Sequence, residues 1–180
     1  MYIASAKRKE NIAEYLLYMW QIEDIIRACS LDIDQIKANI IAPQNLQPDD
    51  ERRLTEWYES LIDMMKTEGV EKTGHLQINR NVIINLTDFH NQLLSDDKHL
   101  DYRAQFYAIL PLIVEIRAKS GDNPVGEIES CFNLLYATLL MRLQKREISK
   151  QTADAITKTS RFIATLTDLF HQDENAENED

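Results

Sequence analysis

From Ile12 onward the residues Tyr15, Leu16, Met19, Ile22, Ile26 and Cys29 recur at steps of three and four, the spacing that places side chains on one face of a helix. The pattern predicts a first helix over about residues 4–29. A second, short helix follows, with Asp32 and Gln35 at capping-box spacing, and it must end before Pro43. Leu54, Trp57, Tyr58, Leu61, Ile62 and Met65 align along a third helix over about 49–67, with Asp49 as its cap and Gly69 after its end. Val82, Leu86, Phe89 and Leu93 mark a fourth over about 79–95. Tyr102, Phe106, Ile109, Ile113 and Ile116 mark a fifth over about 98–119, where Pro111 should kink the axis or split the segment in two.

The sixth segment, Asn123 to Arg146, has apolar residues nearly all round. Asn123 is its expected cap and Pro124 its first helical residue. Glu127 and Glu129 fall early, and Arg142, Lys145 and Arg146 fall late, the charge order that complements a helix dipole. Such a helix is packed on several sides. The last segment, capped by Ser149 and running to about His171, carries Ile156, Thr159, Ile163, Leu166 and Phe170 in alternating steps of three and four. That seam is too short for a coiled coil, so packing within the chain is the expectation and a homodimer seam the alternative.

Glycines and three of the four prolines lie between these segments or at their edges, and only Leu76 to Ile78, too short to matter, alternates as a strand would. The reading is therefore all-α: one domain over residues 1–171, a bundle of six to seven helices with the apolar sixth at its centre. Residues 172–180 would form a disordered acidic tail, since no large apolar residue follows Phe170.

Composition narrows the function classes. The net charge is −10, but the last ten residues hold five acids and no Lys or Arg, and the other 170 carry 25 acids against 20 bases. No positive field is left to attract a phosphate backbone, so a nucleic-acid partner is not expected. Lys7 to Lys9 follow no apolar leader, and the most apolar run, Cys131 to Leu143, is too short to span a bilayer. The chain reads as soluble and cytoplasmic, with no membrane partner.

Site chemistry is sparse. Cys29 and Cys131 suit neither a disulfide framework nor a zinc site, and acids beside Cys131 would raise its pKa, so both read as structural thiols. Among His75, His90, His99 and His171 none has a histidine three or four residues away, and no metal is expected; His90 reads as a hydrogen-bonded, partly buried residue. No phosphate loop, nucleophile elbow or dinucleotide fingerprint occurs, so no cofactor and no catalytic residue is assigned, and an enzyme is the minority reading. Glu23 and Asp24 interrupt the apolar first helix beside Trp20, with Glu23 placed to pair with Arg27.

Two stretches, NIAEYLLYMWQIEDIIRA (Asn11 to Ala28) and NPVGEIESCFNLLYATLLMRLQKREIS (Asn123 to Ser149), resemble a bacterial family of about this length known only as a domain of unknown function. The resemblance covers the chain except its acidic tail. It implies an all-helical cytoplasmic protein and supplies no activity, cofactor or site residue.

Two functional readings follow. The favoured one is a protein-interaction or regulatory module that meets an unnamed protein partner through an exposed helix face or the tail. The alternative is a small-molecule-binding or enzymatic bundle with a pocket between the first and sixth helices, lined by Tyr15, Trp20, Glu23, Asp24, Glu127 and Cys131. An exposed apolar patch would favour the first, and a cavity with convergent polar groups the second.

Overall fold

A computed structural model describes residues 2–119 and 125–177. All regular structure among them is helical, in eight α-helices, and the chain divides into two compact units, Met1–Asn81 and Val82–Asp180.

In the first unit, α1 (Tyr2–Glu10) packs on α2 (Ile12–Ala28). The single helix expected over 4–29 is broken at Asn11, whose backbone is extended and whose Oδ1 accepts from the N–H groups of Ala13 and Glu14. An asparagine that caps a new helix competes with continuation of the old one. Ser30 and Leu31, both left-handed, then turn the chain sharply into α3 (Ile33–Ile36). Asp32 caps α3 through Asp34 and Gln35, as its position predicts, but its own N–H goes to Cys29, so the reciprocal half of the box does not form. A π-turn (Lys37–Ile41) and a 3-10 turn (Ala42–Gln44) take the chain past Pro43.

Helix α4 (Pro48–Thr67) begins with Pro48 in its first turn and Gln47 as cap, so Asp49 lies inside the first turn rather than before it. Its end is a Schellman turn: Gly69 is left-handed and Val70 N–H returns to the Met65 carbonyl. Leu16, Met19, Ile26, Ile36, Tyr58, Leu61 and Met65 fill the core between these helices.

Helix α5 (Gln77–Ser95) starts in the first unit and runs on into the second. Asp96 caps the turn that follows by accepting from Lys98 N–H. Helix α6 (Leu100–Lys119) is continuous through Pro111. Pro111 is exposed and Tyr107 is 62% exposed, so the Tyr107 carbonyl that loses its partner is on the water side, where the loss is cheapest. Helix α7 (Glu127–Leu143) starts at a Gly126 cap; the expected Asn123 cap and Pro124 lie outside the described residues. Helix α8 (Lys150–Glu177) is capped by Ser149, which accepts from Thr152 N–H.

In this unit α6, α7 and α8 pack pairwise. Helix α7 is most deeply set at Ile128, Cys131 and Phe132, while Leu143 at its end is 63% exposed. The α8 seam faces the core of its own chain: Ile156, Thr159, Ile163 and Leu166 are all buried. Thr159 and Thr167 sit there without orphaned hydroxyls because each donates back to the carbonyl four residues earlier.

Candidate functional site

Three features stand out. The first is a polar centre in the first unit, built around Glu23. Its side chain is fully buried, and both oxygens are used: Oε1 accepts from Leu76 N–H at 2.9 Å and Asn79 Nδ2 at 2.7 Å, and Oε2 accepts from His75 Nδ1 at 2.6 Å. The His75 ring stacks on Trp20, with centroids 4.1 Å apart and planes 12° from parallel. Leu76 precedes α5, so the carboxylate lies at a helix N-terminus, where the dipole favours negative charge. Glu68 adds a second acid there by accepting from Gln77 N–H at 2.6 Å.

Glu23 therefore does not pair with Arg27, contrary to the i+4 expectation. Arg27 turns to Asp24 at 2.9 Å and donates its other amino group to the carbonyls of Val70 and Gly74. The loop EKTGHLQ takes the place of the helical neighbour: Arg27 and Glu23 together tie residues 70–79 to α2. Nothing local in α2 signals this, since His75 and Asn79 lie more than 50 residues away in the chain.

The second feature is a buried aromatic cluster in the second unit. The Tyr102 hydroxyl and His90 Nδ1 are hydrogen-bonded at 2.5 Å, and Phe106 and Phe162 turn ring edges or faces toward the pair. Burial lowers the His90 pKa below its usual value, an effect the Glu127 charge partly opposes. Burial raises the Tyr102 pKa too, so both groups are neutral near pH 7. Cys131 is fully buried, and burial, assisted by Glu127, pushes its thiol up to about 12. A nucleophile needs the opposite shift. Glu127 forms an ion pair with Arg117 at 3.0 Å.

Of the six residues singled out in the sequence, Tyr15, Trp20, Glu23 and Asp24 thus share α2, and Glu127 and Cys131 share the first turns of α7. Burial raises the Tyr15 pKa, with Arg8 opposing. Trp20 and Glu23 are joined through His75, which no motif in the sequence marks as a site residue. Among the described residues no group of three or more His, Cys, Asp or Glu is arranged to hold a metal ion.

The third feature is the outward face of α6. Tyr102, Phe106, Ile109 and Ile113 point to the core, yet the opposite side is apolar as well: Leu100 is 62%, Tyr107 62% and Val114 58% exposed, and Ala104 and Pro111 between them and Ala118 beyond them are exposed too. These residues follow a second register of four-and-three steps along the same helix, a pattern readable in the sequence but masked by the core-facing one. Beside it, Ala108, Pro111, Leu112 and Glu115 of α6 face Asp154, Ala155 and Lys158 of α8 across an open groove of about 400 Å³.

Family-model comparison matches residues 1–177 to the domain of unknown function DUF4924. The chain belongs to that family. No curated protein and no solved structure matches it. Membership thus accounts for nearly the whole chain, including most of the acidic C-terminal stretch, and brings no assigned chemistry to any of the three features. No helix among the described residues is long and apolar enough to cross a membrane.

Proposed function

We propose that this protein is a protein-interaction module and that its contact surface is the outward face of α6. The observation that carries this reading is the row Leu100, Tyr107 and Val114, three large apolar side chains more than half exposed on one face of one helix. Scattered apolar residues on a surface are ordinary, but a continuous helical stripe is the form in which one helix offers itself to another. The competing small-molecule reading draws less support. Its polar groups are already engaged with one another: Glu23 accepts three internal hydrogen bonds, and Glu127 is paired with Arg117. Both thiols are free and buried, which suits the reducing environment of the cytoplasm.

The test is site-specific photo-crosslinking in the native host. A photoreactive residue at Val114 should give a discrete adduct, while one at Glu59, exposed on α4, should not. Equal labelling from both positions, or none from Val114, would remove α6 as the contact surface.

A further inference from the structure

We infer that the groove between the C-terminal turns of α5 and α8 docks a basic peptide segment of a protein partner, one that sets a bulky apolar side chain between the helices and a Lys or Arg beside it. The groove has a volume of about 360 Å³ and lies within the second unit. Phe89, Leu93 and Asp96 line it from one side, and Leu169, Asp173 and Ala176 from the other. Each trio steps by four and three residues, which turns one continuous face of each helix to the groove. None of these residues belongs to the outward face of α6, so either contact can exist without the other.

The floor is apolar. Phe89 and Leu93 are buried, Leu169 is half-buried, and the Phe89 and Phe170 rings meet edge to face with centroids 5.4 Å apart. Beyond that contact α8 runs on with residues 171–176 all exposed, and the groove stays open to water along them. An open trough with an apolar floor is a form in which a protein receives the side chains of a peptide.

The charge around the floor states the sign of the occupant. Asp96 stands just past the end of α5 and Asp173 in the last turns of α8, so both carboxylates sit where a helix dipole already contributes partial negative charge. Among the described residues no Lys or Arg lines the groove. Of the bases that follow α5, Arg103 is held by Asp97 and the Leu94 carbonyl. Asp96 accepts from Lys98 N–H through one oxygen, and its other oxygen lies 3.9 Å from His99 Nε2. An acid in the last turns of α8 runs against local preference, and a cation brought by a partner relieves it.

Size and charge together choose the partner. The volume is at the small end of the range of ligand sites, roughly 300–1,000 Å³, which admits one or two side chains and not a whole helix. Lys and Arg suit it because their aliphatic stems lie along apolar surface while the charged head reaches an acid. A second copy of this chain is disfavoured, since each copy carries −10. Attraction between opposite charges is screened, so the contact should loosen as salt rises.

Amide NMR on the isotope-labelled full chain tests this with three synthetic peptides, alternating leucine with arginine, glycine with arginine, and leucine with glutamine. The leucine–arginine peptide should shift the amides of residues 89–99 and 169–176 and leave those of Tyr107 and Val114 in place. The other two should bind about fivefold more weakly or less. Asp96→Asn, which keeps an oxygen for Lys98 N–H, and Asp173→Asn should each weaken the leucine–arginine peptide by about two- to fivefold. Gln172→Lys, at an exposed position in the groove wall, should supply the cation from within and weaken it further. Circular dichroism checks that each variant stays helical. Equal binding of the glycine–arginine peptide, with shifts spread over the acidic surface, would show that charge alone attracts it and would overturn the groove. Equal binding of the leucine–glutamine peptide would overturn the basic partner. A short alkyl diamine that gives the same shifts at lower concentration would make the groove a small-amine site and overturn the peptide. Shifts that grow with protein concentration alone would name a second copy instead. Shifts at Tyr107 and Val114 only, or none at all, would remove the groove as a docking site.

Discussion

At the scale of single residues, Glu23 illustrates how a buried charge is tolerated. Three donors converge on it, two of them from the fully buried Leu76 and Asn79. Glu23→Ala strands all three, and the expected loss is about 3 kcal/mol or more in denaturant unfolding. Glu23→Gln retains an oxygen for Leu76 and Asn79 and asks only His75 to change tautomer, so its loss should be nearer 1–2 kcal/mol. Equal losses would mean that charge, rather than hydrogen bonding, is what the site requires. His90 supplies a pH dependence. Its folded pKa lies below its unfolded value of about 6.5, because burial disfavours the imidazolium. Between those two values the unfolded chain binds the proton and the folded chain does not, so stability falls as pH drops below about 6.5. His90→Gln should be less stable at neutral pH, and its deficit against the parent should shrink toward pH 5. A deficit constant across that range would show that His90 keeps an ordinary pKa.

At the scale of elements, the core-facing periodicities are legible in the sequence alone. Val82, Leu86, Phe89 and Leu93 of α5 are all buried, as are Tyr102, Phe106, Ile109 and Ile113 of α6, because a 3.6-residue period states which side of a helix is wet. Side-chain caps are legible at Asp32 and Ser149, but the equally real cap at Asn11 is not, because helix-forming residues lie on both sides of it and nothing local forces a break. The Glu23–His75 contact is not legible, since it depends on how a loop folds back over α2, and no local pattern encodes that. The end of α8 bears on the acidic tail. The helix continues past His171 to Glu177, although residues 171–176 are exposed, and the acids Asp173 and Glu174 oppose the dipole at its C-terminal end. Truncation after His171 removes little buried surface and takes those unfavourable charges away. The melting temperature should change by less than about 2 °C or rise. A fall of several degrees would show that Gln172, Asp173 and Ala176, which line a groove with Phe89 and Leu93 of α5, stabilise the second unit through that contact.

At the scale of the whole molecule two electrostatic effects oppose each other, and salt separates them. The ion pairs favour the fold, but most are short-range surface pairs with at least one well-exposed member, such as Arg52 with Asp49 and Glu56, or Arg103 with Asp97. Pairs of that kind contribute little. The net charge of −10 disfavours any compact state, because folding brings the excess acids closer together. Both effects are screened as the Debye length shortens from about 30 Å at 0.01 M to about 8 Å at 0.15 M, and the one acting over longer distances loses more. Repulsion among dispersed acids is the longer-ranged of the two. Raising sodium chloride from about 0.01 to 0.15 M should therefore raise the melting temperature. A fall would mean that the few partly buried pairs, Arg27 with Asp24 and Arg117 with Glu127, outweigh the net repulsion.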